Sequence, residues 1–368
     1  PPPPPPPPPL FQAEDGIRDP PYSLVGSEMC IRDSKGTETG ACETIERTPD
    51  LSPTFQARIF CLARNGDWDV AALTLGTADV LSLLDPDEEQ LLLHFLDPVL
   101  FEGEPLPPAP AHPSPLTFRL YEAVGERIDT ETLPTAFAVS DISGNVGWKT
   151  RLRASERLAR AGVLSAEEFL SQATSHTPAA SGGIWDRVDA IQRLVAAFDA
   201  GDDAAISDAL PDAWAAAMSG GYGPTLAPWM ARRLTGVTLS PRAHHDAFEI
   251  ALYADDLDLA KAHAGNSAED ATLLAIASGR LGDVRSQSPL VTAIRQSLSG
   301  LPPSEGLTRL MDDGRRGEAL LTAIRQLAEG DEGDPKAIGD GLSLLIDLGQ
   351  REWARRIAIE LLLEEAAA

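Results

Sequence analysis

Apolar residues in this chain recur at helical spacing, and no convincing run shows the alternation of a half-buried strand. Phe55, Ile59, Leu62 and Ala63 share one helix face, opened by Ser52-Pro53 with Ser as a cap and Pro in the first turn. Asn65-Gly66-Asp67 ends that helix, because glycine just past the last apolar position suits a left-handed cap. A second helix follows with Trp68, Val70, Ala71, Ala72 and Leu75. Residues 86–96 form another, with Pro86 in the first turn and acids near the positive end. Ser165-Ala166-Glu167-Glu168 has the spacing of a capping box. Helices are further expected at about 117–124, 152–160, 184–198, 204–210, 213–218, 228–234, 242–254, 257–264, 268–278, 290–298, 306–312, 317–328, 338–348 and 352–367, with Pro211 dividing one pair. Ala and Leu dominate and aromatics make up only 5% of the chain, a composition of closely packed helices. The expected fold class is all-α.

The first 34 residues stand apart. Nine prolines lead into Ala13-Glu14-Asp15-Gly16-Ile17-Arg18-Asp19, and Ser27-Glu28-Met29-Cys30-Ile31-Arg32-Asp33-Ser34 follows. This segment resembles the translation of a sequencing-library adapter joined to an environmental DNA read, which implies a disordered artefact over 1–34. There is no initiator Met, so the natural N-terminus, and with it any signal peptide or upstream domain, is expected to be missing. The segment holds five acids and two bases, so the rest of the chain keeps a charge of about −23 out of the total of −26. Such acidity argues against a nucleic-acid partner, which needs concentrated Lys and Arg. It favours solubility, or a cationic partner. No run of about 18 apolar residues exists to span a membrane. Residues 104–115 carry too much proline for a helix and read as an extended strap or linker. The expected organisation is N-terminal helical hairpins at 35–103, that strap at 104–115, a central helical body at 116–300 and C-terminal helices at 301–368.

The helical joints share a pattern. A turn residue, Gly or Asp, precedes a small Ala by five positions in Gly66 to Ala71, Asp255 to Ala260, Gly314 to Ala319 and Gly349 to Ala354. Glycine relieves the turn and alanine lets the second helix cross the first closely. Hairpins stacked this way make an irregular α-solenoid. The stretch 55–71, with Gly66, Trp68 and Ala71, and Leu75 and Ala78 beyond it, resembles a tetratricopeptide unit. It departs from that family at Arg58 and Ile59, and the other copies have Leu257, Arg316 and Arg351 where Trp68 stands. That resemblance implies protein or peptide binding. The segments 58–68, 95–103 and 182–188 also resemble a family of uncharacterised, Ala- and Leu-rich helical proteins of alphaproteobacteria. Some of its members are labelled antifreeze glycopeptide, although the Ala-Thr repeats that label implies are absent here. The resemblance implies an exported protein with a long helical body.

Chemistry is sparse. His244, His245 and Asp246, with His263 later, form the main histidine cluster. Neighbouring residues on a helix point about 100° apart, so His244 and His245 do not share a ligand easily, whereas His245 and Glu249 have suitable spacing. Ser181-Gly182-Gly183 lacks the lysine and the preceding strand of a phosphate loop. No Gly-x-Ser-x-Gly elbow is present. No catalytic, cofactor-binding or metal-binding residue is therefore assigned. Apart from Cys30 in the first segment, Cys42 and Cys61 remain, read either as a disulfide across a helical hairpin in an exported protein or as two small buried thiols. Trp148, Trp185, Trp214, Tyr222 and Trp229 are the candidate partner-binding aromatics, with core packing as their other reading. The expected protein is a non-enzymatic helical-repeat binding or scaffolding protein of the bacterial envelope, in the periplasm, with a protein or peptide partner and no cofactor. The alternatives are the helical substrate-wrapping body of an enzyme whose catalytic domain lies upstream, and a cytoplasmic location.

Overall fold

The computed structural model describes residues 38–49, 52, 54–143, 146–328 and 334–367. The segment 1–34, expected to be an artefact, lies outside them. The fold is all-α: the described residues form nineteen α-helices and two short 3₁₀ turns, with no strand. The chain divides into two compact units after Leu158.

The first unit opens with α1 (Glu38–Arg47), α2 (Phe55–Arg64), α3 (Trp68–Val80), α4 (Pro86–Leu96) and α5 (Pro115–Ala123). Successive helices pack on one another around Ile59, Phe60, Leu75, Leu91, Leu92 and Leu120. α2 begins two residues later than expected, because Thr54 rather than Ser52 caps it: the Ala57 amide donates to Thr54 Oγ1 at 3.1 Å. The proline-rich strap is extended, as its composition demands. It does not separate domains, however. Its carbonyls accept hydrogen bonds from the adjoining helices, Tyr121 Oη donating to Pro107 at 2.8 Å and Gln90 Nε2 to Pro105 at 3.0 Å. A backbone without regular partners is thereby satisfied by side chains of its own unit. Beyond the strap come a 3₁₀ turn (Thr135–Phe137), α6 (Ala138–Ser143) and most of α7 (Trp148–Arg160). The loop before them is fastened by buried Asp141, which accepts from Arg127 at 2.8 Å and from Thr130 at 2.5 Å.

The second unit takes the end of α7, then α8 (Ala166–Ala173), α9 (Ile184–Ala200), α10 (Asp203–Ser219), α11 (Gly223–Leu234), α12 (Pro241–Tyr253), α13 (Leu257–His263) and α14 (Ala268–Ala277). After a 3₁₀ turn (Leu281–Asp283) it continues with α15 (Pro289–Leu298), α16 (Glu305–Asp312), α17 (Arg316–Leu327), α18 (Pro335–Asp347) and α19 (Arg351–Ala367). Ser165 and Glu168 form the capping box at the start of α8. Pro211 does not divide a pair of helices. It lies inside the continuous α10, where burial of Leu210, Ala213, Trp214 and Ala217 along the helix offsets the cost of an interior proline, about 3 kcal/mol for the lost hydrogen bond and the ring clash together. Nor is there a division at residue 300. Ser297 Oγ donates to the Gly339 carbonyl and Ser343 Oγ to the Leu301 carbonyl, both at 2.8 Å, which binds α15 and its exit to α18.

The four joints marked by Gly or Asp followed by Ala are built alike. Gly66, Asp255, Gly314 and Gly349 all have positive φ. At each, the turn residue donates to the carbonyl three back and the next residue to the carbonyl five back, as in Asp256 N–H to Ala251 O at 2.9 Å. Ala71, Ala260, Ala319 and Ala354 are all 0% exposed. Gly201 and Gly221 make the same turn, but Ile206 and Leu226 occupy the buried place five residues on. Contacts in the second unit are not confined to neighbours in sequence: α19 packs back on α12, α14 and α15. Arg355 of α19 pairs with Asp255 at 3.0 Å and also donates to the Ala277 carbonyl.

Candidate functional site

The residues singled out in the sequence fall in different settings. Cys42 of α1 and Cys61 of α2 are joined, S–S 2.08 Å, with both cysteines buried. Closing a loop of that size contributes about 3 kcal/mol. Of the five middle-third aromatics, Trp214, Tyr222 and Trp229 are core residues and not surface anchors. The physical reason is volume, since an Ala-rich interior needs a few large rings to fill it. Tyr222, 1% exposed, packs at a tilt against Phe169 with centroids 4.5 Å apart. Trp229 packs edge-on against Phe198 and carries the Arg233 guanidinium 4.5 Å from its ring centroid. The Trp214 indole donates to Glu249 Oε2 at 2.7 Å. Trp148 and Trp185 are half-buried.

The exposed tryptophan of the first unit is Trp68, at the start of α3 and 48% exposed. It borders a cleft of about 370 Å³ whose floor is Phe60 and Phe95 and whose rim carries Arg64, Arg119 and Glu122. Phe95 holds the rings together, stacked on Phe60 at 5.5 Å and tilted against Trp68 at 5.9 Å. Arg119 pairs with Glu122 at 2.5 Å. An apolar floor with a few charged groups at its edge suits an apolar side chain.

α3 continues this surface. Ala71, Leu75 and Ala78 face the core, while Leu73 and Val80 are exposed. Between them Ala72, Gly76 and Thr77 line a shallow, open groove of about 830 Å³. Trp68 was legible as part of a hairpin pattern but not as a surface residue. The signal for that was present: Val70, Leu73 and Val80 make α3 apolar on the side away from its core alanines.

In the second unit the fold brings His244 and His263 together in a ring-to-ring hydrogen bond, Nδ1 to Nδ1 2.8 Å, with one ring donating and the other accepting and centroids 4.8 Å apart. Burial, and then His244, hold His263 below the usual imidazole range. His245 points elsewhere, to Glu249 at 3.3 Å. Burial, and then Glu249, push the Asp246 carboxyl up. The sequence reading did not pair His244 with His263, because the two lie on different helices and meet only through the packing of α12 on α13. Among the described residues no group of three His, Cys, Asp or Glu side chains is placed to hold a metal ion. No helix of the described residues is long and apolar enough to cross a membrane. Compared with protein-family models, curated proteins and solved structures, the chain matches none.

Proposed function

We propose that the chain is a non-enzymatic, helical-repeat binding module of the bacterial envelope, tetratricopeptide-like in its first hairpin. Its binding surface runs from the Trp68 cleft along α3. The observation that carries this reading is α3 itself. Its inner side packs Ala71, Leu75 and Ala78 in the core, yet its outer side also carries large apolar residues, Leu73 and Val80, open beside an exposed Trp68. A partner peptide completes the burial, its apolar side chains covering α3. The Cys42–Cys61 bond supports an oxidising compartment, where such bonds persist.

The test is capture of partners from envelope extract with the wild-type chain and with Trp68→Ala and Leu73→Glu. Both substitutions are at exposed positions and spare the core, and both are expected to strip the specific partner from the column. A partner retained by both variants refutes the surface. Mass spectrometry on the chain recovered from the envelope reads its compartment, with Cys42 joined to Cys61 as the expected state.

A further inference from the structure

Independently of the α3 surface, we propose that His244 and His263 are a pH-sensitive latch on the α12–α13 hairpin. The latch is closed while at most one of the two rings is charged, and it opens when both are. His244 stands in the first turn of α12 and His263 is the last residue of α13. Their hydrogen bond, 2.8 Å between the Nδ1 atoms, therefore fastens the end of the hairpin opposite its Asp255 turn. A bond between two imidazole nitrogens needs a proton on one and a lone pair on the other. With both rings neutral, or with one charged, the pair meets that need. With both charged, each Nδ1 carries a proton, no acceptor is left, and two like charges stand at hydrogen-bond distance. The contact does not survive that state. Both rings are half-buried, so water only partly screens the repulsion.

α13 has little else to hold it at this end. It is seven residues long, and only Leu259 and Ala260 are buried. The turn end is secured separately, by Arg355 on Asp255 at 3.0 Å and by the Asp256 side chain, which accepts from the Leu259 amide at 3.0 Å. Opening is thus confined to the far end, with the Asp255 turn as its pivot. α12 packs against α10, α11, α13 and α19, and α13 also against α14. The charged groups of these elements are engaged elsewhere. On α12, Arg242 and His245 act on Asp246, and His245 meets Glu249 at 3.3 Å. On α13, Lys261 pairs with Asp258, and on α14 Asp270 accepts from the Gly265 amide and the Ser267 hydroxyl. Arg232 and Arg233 of α11 turn to Glu167 and Asp199, and Asp203 of α10 accepts from the Thr238 amide. Glu360 and Glu364 of α19 act on Tyr253, at the other end of α12. The charge that acts on His263 is that of His244, which adds to burial in holding His263 below the usual imidazole range.

Nuclear magnetic resonance of the full chain between about pH 8 and about pH 4.5 tests the latch. It reads the two imidazoles, and it reads the protection of α13 amides against hydrogen exchange once the intrinsic pH dependence of exchange is removed. The rings are expected to titrate in two separate steps, the second below the ordinary imidazole value of about 6.5. The folded pair resists its second proton and the unfolded chain does not. The latch therefore contributes in full above that value, and its contribution is lost as pH falls below it. Protection of the amides at 259–263 is expected to drop by about tenfold between about pH 7 and about pH 5, while α15 and α18 keep theirs. His263→Gln and His244→Gln are each expected to return the remaining ring to one titration near about 6.5 and to abolish the pH response of α13, with unchanged far-ultraviolet circular dichroism. His245→Ala is expected to keep both steps, because that ring meets Glu249. A single joint titration of the two rings in the wild-type chain overturns the proposal. So does α13 protection that is constant with pH, or a pH response that persists in both glutamine variants.

Discussion

Gly221 sits where no side chain fits. Its φ is +74°, and a Cβ there would come within 2.5 Å of Arg160 Nε. Arg160 in turn donates to the Gly220 carbonyl from Nε at 3.2 Å and from Nη2 at 2.6 Å, so the guanidinium and the turn hold each other. Gly221→Ala both strains the backbone and displaces Arg160. We expect it to cost about 1–3 kcal/mol in chemical denaturation. An equal stability in the variant would show that the arginine moves aside freely. Asp255 is the contrasting case, a non-glycine residue at φ +56°. Aspartate tolerates this region better than most residues, and Arg355 holds its carboxylate there.

The hairpin joints show how far local sequence specifies an element. Gly66, Asp255, Gly314 and Gly349 were visible as turns because only a left-handed residue closes the helix end in this way. The alanines were visible because each stands at a fixed distance from its turn. Replacing Ala354, 0% exposed, with Leu is expected to destabilise the second unit by about 1–3 kcal/mol through overpacking. Ala72→Leu, on the exposed side of α3, is expected to change stability by less than about 0.5 kcal/mol. Thermal unfolding of the two variants compares them directly, and equal losses would contradict the role assigned to the buried alanine. What sequence did not reveal was tertiary in origin. Pro211 breaks an isolated helix, but the packing around Trp214 keeps α10 whole. Likewise Trp68 is half-exposed and Trp214 buried, although both stand in Ala-rich helices. The difference lies in which helices later in the chain come to cover each ring.

α19 concentrates charge where α12 packs on it. Burial raises the Glu360 carboxyl above its ordinary range, with Glu364 adding to the rise and Arg356 opposing it. Burial, and then Glu364, Glu360 and Glu249, push the nearby Tyr253 hydroxyl up as well. The folded protein therefore holds the Glu360 proton more tightly than the unfolded chain does. That contribution to stability is fully present below the unfolded carboxyl range and is lost as pH rises through the folded value. Glu360→Gln is accordingly expected to raise the denaturation midpoint at pH 7 and to leave it nearly unchanged below about pH 4. A midpoint that falls at pH 7 would contradict this sign. The return of α19 to the Asp255 turn also orders events in time. Each Gly or Asp turn joins residues close in sequence and is complete once its own hairpin exists, but the clamp on Asp255 is supplied by a residue 100 positions later. During synthesis from the N-terminus, the contacts of α19 with α12, α14 and α15 are therefore among the last of this unit to form.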